Sequence, residues 1–524
     1  MRVRAAALYL VSVSLFLWAL AWHSTSLLAR CEANYRCARH LQPPLLVSSA
    51  FFPTLHVDVA DHQWRAFREK LGLLVPVALA HATVGALIRR IRLRRAILAY
   101  DALAGLGLVV FIHRAQAVHL FVLAGANYAL GRACRTRSLA LATSASWVFL
   151  LGLLVLREFG RRTLKYASLL GGAYSWLDAG PYGGMGWWDH ANLLALRMHS
   201  FHVDTWHLGS VPSGGLEYVA YVFYAPLYVA GPIMRAKDFR LQSSPLRSSA
   251  SKGGERLEDG SAEEWSTSDV VAYAFRWLFC LVAMEWLSAS APCFALSGSG
   301  LVLEMKPAEA LVFSYLTLQL TWLKFVLIWC FFRLWALLDG RRPPENLSAF
   351  SFWHYSALSF WRSWHASFSA WVLTYLYLPL GGRKHRMRNL AISFVFVALW
   401  HGVEWRMLGW AGLVLLALTP EVLAERRRHT RSQAETTRWY HQHLVAAAGA
   451  SSICALIVVN LVGFGGGGAD SVLDTLRLLL GGDGLVVATV AWAFMFVGVH
   501  IMMDVEQWRA AGKRNDRQAH HHDA

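Results

Sequence analysis

Apolar positions run along this chain in long unbroken blocks, with polar residues gathered between them. Apolar stretches lie at 5–22, 70–88, 96–113, 138–156, 216–234, 268–290, 309–335, 389–402, 405–424, 446–464 and 484–503. Each is near the ~20 residues a helix needs to cross the hydrocarbon core. Two shorter stretches, 118–130 and 371–380, read as re-entrant or packed within protein. The pattern predicts an all-α polytopic membrane protein with about eleven transmembrane helices, because helices satisfy every backbone polar group internally. Residues 1–22 read as a retained signal-anchor span, since no small-residue cleavage site precedes Cys31. The chain, 1–524, reads as a single multi-pass membrane domain without an internal repeat. A polar loop at 235–269, rich in Ser, Gly, Lys, Arg and Glu, separates two membrane blocks. Residues 425–443 mix both charges and read as a surface helix or loop, and 509–524 form a hydrophilic tail.

Composition agrees: 56% of residues are hydrophobic, only 16% are charged, and there are 24 tryptophans. The net charge of +17 comes from short basic clusters beside apolar spans, such as Arg89 to Arg95, Arg157 to Lys165, Arg383 to Arg388 and Arg426 to Arg428. That distribution fits the positive-inside rule and anionic headgroups, not nucleic acid. The clusters could also steer a cytosolic anionic substrate. Which face each short loop occupies is left open. Of seven cysteines, Cys31 and Cys37 share a polar loop and would pair if that loop faced an oxidising compartment. Cys134, Cys280, Cys293, Cys330 and Cys454 form no metal pattern and read as packing residues. Gly465 to Gly468 lacks the Lys and Ser or Thr of a P-loop, and His520 to His522 is weak as a metal site.

The candidate chemistry lies in Phe360-Trp-Arg-Ser-Trp-His365-Ala-Ser-Phe-Ser-Ala-Trp371 and in the histidine that ends Asn389 to His401. Intramembrane histidines mark functional sites by default. Read as one helix, the first segment puts Arg362, His365 and Ser369 on one face and Trp361, Trp364, Phe368 and Trp371 on another. A lone histidine there would simply bond a backbone carbonyl. With His401 nearby, a shared polar cavity becomes the stronger reading, in which a neutral imidazole accepts a proton from a hydroxyl nucleophile. Glu404 near His401 lacks further metal ligands, and an ion pair with Arg406 accounts for it more simply. Asp339 and Glu345 flank the turn at 340–344, where pairing with Arg341 or Arg342 competes with a substrate role.

These runs carry a resemblance. Phe360 to Trp371, then Tyr375-Leu-Tyr-Leu-Pro379-Leu-Gly381-Gly382, then Leu399-Trp400-His401-Gly402, resemble the signature of the membrane-bound O-acyltransferase family. Phe332 to Gly340, Pro344-Glu345-Asn346 and Phe223 to Ile233 resemble its glycerol-uptake-protein branch, with a weaker echo at Leu196 to Phe201. The resemblance covers roughly 190–465.

It implies tilted helices around a catalytic tunnel, where a long-chain acyl-CoA from the cytosol meets a hydroxyl or amine acceptor arriving from the other side or from the bilayer. It carries catalytic roles to His401 and His365, and a substrate-binding set of Trp361, Arg362, Trp364, Ser369, Trp400, Asp339 and Asn346. No metal or resident cofactor is implied, acyl-CoA being a co-substrate. Because hedgehog-acylating relatives carry an acidic residue where His365 stands, the resemblance points away from protein N-palmitoylation. The implied function is re-acylation of a lyso-glycosylphosphatidylinositol (lyso-GPI) anchor, or a related lysophospholipid, in the endoplasmic reticulum membrane. The rival reading is a transporter of glycerol or another small polyol, with His365 and His401 as a proton relay. It would call for inverted repeats or paired broken helices.

Overall fold

The computed structural model describes residues 2–45, 56–135, 137–178, 185–207, 214–243, 266–347, 353–428, 439–464 and 468–522. The first half comprises α1 (Arg2–Glu32), α2 (Tyr35–Ala38), β1 (Leu41–Gln42), β2 (Val57–Asp58), α3 (His62–Arg90), α4 (Arg94–His113), α5 (Ala117–Arg135), α6 (Leu139–Thr163), α7 (Tyr166–Leu170), α8 (Trp187–His207), α9 (Gly215–Val222), α10 (Ala225–Tyr228) and α11 (Ala236–Gln242). The second comprises α12 (Thr267–Ser290), α13 (Cys293–Ser297), α14 (Pro307–Leu338), α15 (Ala357–Ser363), α16 (Ala366–Val372), α17 (Arg386–His401), α18 (Trp405–Arg428), α19 (Trp439–Phe464), α20 (Gly468–Leu480) and α21 (Asp483–His522). Among the described residues the only sheet is the antiparallel pair β1–β2, Leu41 facing Asp58. Nine described helical runs are long and apolar enough to cross a membrane. The all-α polytopic class expected from the pattern is the class observed.

Nine lies within two of the expected eleven, and the stretches absent from the nine are 216–234 and 389–402. The run Arg94–Arg135 is continuous in helical content, yet it is not one rod. A straight helix would put residue 127 about 50 Å from residue 94. Instead Arg94 bonds Glu217 and Asn127 bonds the adjacent Tyr218, so α5 folds back along α4. The turn is at Arg114, whose φ is 51°. Thus 118–130, expected to be re-entrant or packed within protein, belongs to the returning arm of a helical hairpin, with Leu120, Ala124 and Asn127 buried. The stretch 216–234 is no span: it breaks into α9 and α10, with Pro226 in the first turn of the latter. Its apolarity reflects burial within protein, since Tyr218, Val222, Phe223, Tyr224, Leu227 and Tyr228 are all buried. Gly231, at φ 102°, is required where the chain passes α14: a Cβ would come 2.9 Å from that of Phe332. The segment 389–402 becomes α17, whose 16 residues extend only about 24 Å.

Cys31 and Cys37 form a disulfide, placing the end of α1 on the oxidising side of the membrane. The single span α3 then delivers the cluster Arg89, Arg90, Arg92, Arg94 and Arg95 to the opposite face, where the positive-inside rule puts it. The disulfide and this cluster therefore lie at opposite ends of α3. At the Arg89 end of α3 lies a buried charge network: Arg341 bonds Asp101 at 2.5 Å and Asp339 at 3.1 Å, and Asp339 also takes Arg89 and the Tyr224 hydroxyl. It ties α3, α4, the α9–α10 segment and the end of α14 together.

Of the remaining sequence expectations, 244–265 of the polar loop, 429–438 and Gly465 to Gly467 lie outside the described residues. Glu404 and Arg406 approach to 3.9 Å at the exposed start of α18.

Candidate active site

Three packed clusters surround the site: one built on α4, α5, α6, α8 and α9, one on α1, α3, α12 and α14, and one on α15, α17, α18 and α19. Between them lies a cavity of about 1320 Å³.

The segment 360–371, expected as one helix, is broken in its middle. Trp364 is extended (φ −76°, ψ 124°) and His365 is left-handed (φ 46°, ψ 51°), so α15 ends at Ser363 and α16 starts at Ala366. A left-handed non-glycine residue costs roughly 1–2 kcal/mol. It persists because its surroundings hold it: the Asn346 carbonyl accepts from Ala366 N–H at 2.9 Å, and Asn346 Oδ1 accepts from the Ser367 N–H at 3.3 Å and from its hydroxyl. Ser367 Oγ in turn accepts from Ile233 N–H at 2.8 Å. The Trp371 indole locks the far end of α16 to α8, donating to Ser200 Oγ at 2.8 Å. The break turns the imidazole of His365 against the face of Trp329, with centroids 4.4 Å apart and planes 21° apart. Its Nε2 is buried without a hydrogen-bond partner among the described residues.

His401 is the last residue of α17, and its ring is exposed to the cavity. The helix end is pinned from outside. Arg157 on α6 donates to the carbonyls of Trp400 at 3.2 Å and His401 at 3.1 Å, satisfying acceptors that a helix C-terminus leaves open. Trp400 Nε1 donates to Asn192 O on α8 at 3.2 Å. The Trp400 ring lies 4.8 Å from His401 and 6.1 Å from His365, so the two imidazoles flank one indole.

Trp361, Arg362, Trp364, His365, Ser369, Trp400 and His401 all line the cavity. They do so from three short elements, not from one helical face. Asp339 and Asn346 do not line it. Asp339 belongs to the buried charge network, and Asn346 is 1% exposed behind the His365 turn. Both spend their acceptors on the protein: Asp339 on Arg89, Arg341 and Tyr224, and Asn346 on Ala366 and Ser367. Glu345 likewise pairs with Arg276 at 3.0 Å and Arg333 at 3.3 Å. Sequence reasoning missed Arg157, Asn192 and Trp329. Arg157 was absorbed into a topogenic basic cluster, and nothing local distinguishes it, since its acceptors lie 243 and 244 residues away.

Arg383 and Arg386 also line the cavity, at the start of α17, with Arg362. Because α17 runs from these arginines to His401, its two ends mark two ends of the cavity: one cationic, one bearing the imidazole. The wall between is apolar, formed by residues such as Phe325, Trp329, Phe368, Leu390 and Phe394. The result is a largely apolar chamber inside a helical bundle, with two imidazoles and three guanidinium groups among its polar lining.

Comparison with known proteins supplies the family. The MBOAT, membrane-bound O-acyltransferase family, matches residues 137–462, more than half of the chain. The chain belongs to this family and is a multi-pass membrane acyltransferase. It is 29% identical to the membrane-bound O-acyltransferase GUP1 of Candida tropicalis, over 88% of this chain and 81% of that one. The GUP1 protein of Saccharomyces cerevisiae is 28% identical over 88% of this chain and 84% of its own length. The mouse protein-cysteine N-palmitoyltransferase HHAT is 28% identical over 47% of this chain and 49% of its own.

Proposed function

We propose that the chain transfers a long-chain acyl group from acyl-CoA to a free hydroxyl of a lyso-lipid, the lyso-GPI anchor being the acceptor, in the endoplasmic reticulum membrane. The observation that carries this reading is the single cavity holding His365, His401 and the three arginines. Donor and acceptor would meet there, so no acyl-enzyme is needed.

His401 takes the proton from the acceptor hydroxyl as its oxygen attacks the thioester carbonyl. The C–O bond forms, negative charge gathers on the carbonyl oxygen, and collapse of the tetrahedral intermediate breaks the C–S bond. The departing CoA thiolate recovers the proton from the His401 imidazolium, which leaves His401 neutral for the next turnover. His365 orients or polarises the reacting groups from its place on the cavity wall. Arg362, Arg383 and Arg386, which line the cavity, face the phosphates of CoA.

Membranes containing the protein, given labelled acyl-CoA with lyso-GPI, lysophosphatidylinositol, lysophosphatidylcholine or glycerol, should place label in the GPI lipid. Label confined to a lysophospholipid would overturn the acceptor. No label with any of them, together with histidine-dependent polyol flux into vesicles, would favour the transporter reading instead. Arg383→Ala is expected to raise KM for acyl-CoA about tenfold, the scale of one charge-assisted bond. It should not change KM for an acyl-pantetheine thioester, which lacks the nucleotide phosphates. Equal effects on both donors would remove the arginine from phosphate binding.

A further inference from the structure

The residue that opens α16 carries two demands that conflict. A helix start leaves its first N–H groups without partners, and the N-cap side chain ordinarily accepts from one of them. Here the N-cap is His365, and its side chain makes no such bond. The imidazole is instead stacked on Trp329 and turned to the cavity. The open donors are taken from a distance: Ala366 N–H by the Asn346 carbonyl, Ser367 N–H and Oγ–H by Asn346 Oδ1. Asn346 is 1% exposed and lies outside the cavity lining, so it is placed to act on the turn and not on a substrate.

We infer that Asn346 is a positioning residue for the reaction: it caps α16 in place of His365 and thereby keeps the imidazole free to face the substrates. This rests on the role of His365 proposed above. The device also explains the left-handed backbone at 365. Only with the chain bent there can the N–H groups of 366 and 367 reach Asn346 while the ring points the other way. Ser367 completes the clamp by receiving Ile233 N–H at 2.8 Å, which ties the turn to the segment after α10. Among the described residues the Asn346 Nδ2 group makes no hydrogen bond. The oxygen is therefore the working atom, and an aspartate should substitute for it better than an alanine.

The test is a double-mutant cycle on the purified full-length protein in nanodiscs, with kcat and KM for acyl transfer and melting temperature measured for each variant. Asn346→Ala is expected to lower kcat at least tenfold with KM for acyl-CoA unchanged, whereas Asn346→Asp should recover most of that loss. Adding Asn346→Ala to His365→Ala should lower kcat no further than His365→Ala alone. Multiplicative losses in the double variant would overturn the inference, because Asn346 would then act independently of His365. So would an Asn346→Asp variant as slow as Asn346→Ala. Wild-type activity in the single His365→Ala variant would overturn the proposed role of His365 itself, and with it this inference.

Discussion

Replacing His401 by alanine is expected to lower kcat for acyl transfer by ~10²–10⁴-fold, the range a positioned general base contributes, while the protein stays folded and inserted. The structural argument for a clean effect is that the end of α17 is held by main-chain acceptors: Arg157 bonds the carbonyls of residues 400 and 401, which alanine retains. What the ring itself contributes is edge contact with Trp400, Phe464 and Trp410, at centroid distances of 4.8, 5.4 and 6.2 Å. Such contacts are worth about 0.5–1.5 kcal/mol each. Initial rates with labelled acyl-CoA, measured beside the melting temperature of the same preparation, separate the two effects. A variant that melts normally and still transfers at the wild-type rate would remove His401 from the chemistry.

The largest stability effect is expected at Arg341→Met. Arg341 is 1% exposed and bonds Asp101, Asp339 and Ser243 Oγ. Asp339 keeps Arg89 and the Tyr224 hydroxyl without it, but Asp101 is fully buried and loses its guanidinium. Removing one partner of a buried pair costs about 3–5 kcal/mol, because an uncompensated charge stays behind. The loss should appear as a large fall in melting temperature and in detergent-extractable monomer. Replacing both partners, Arg341→Met with Asp101→Leu, should recover much of it. A single variant as stable as wild type would show that Asp101 is neutralised in some other way.

The two histidines were legible because imidazole in an apolar run is chemically conspicuous, and the tryptophans around them were legible as company. The turn at His365 was not. A periodicity argument assumes unbroken helix, and the left-handed residue that breaks it is stabilised by Asn346 and Ile233, neither of which is a helical neighbour. Asp339 and Asn346 drew attention through motif resemblance, yet the motif does not say whether a residue touches substrate or holds one that does. Arg157 is the opposite case: an ordinary member of a basic cluster by sequence, and the cap of the catalytic helix in space.

By itself the sequence determined the membrane class, most of the spans and the candidate imidazoles, because the cost of placing polar groups in hydrocarbon acts residue by residue and leaves its mark in composition. Only the tertiary structure decided that 94–135 is a hairpin, that 216–234 is buried in protein, and which polar groups face the cavity. Those outcomes depend on pairings such as Asn127 with Tyr218, Arg341 with Asp101 and Arg157 with the end of α17. Each joins residues far apart in the chain, and a hydrogen bond or ion pair between distant partners has no signature in the local pattern of either.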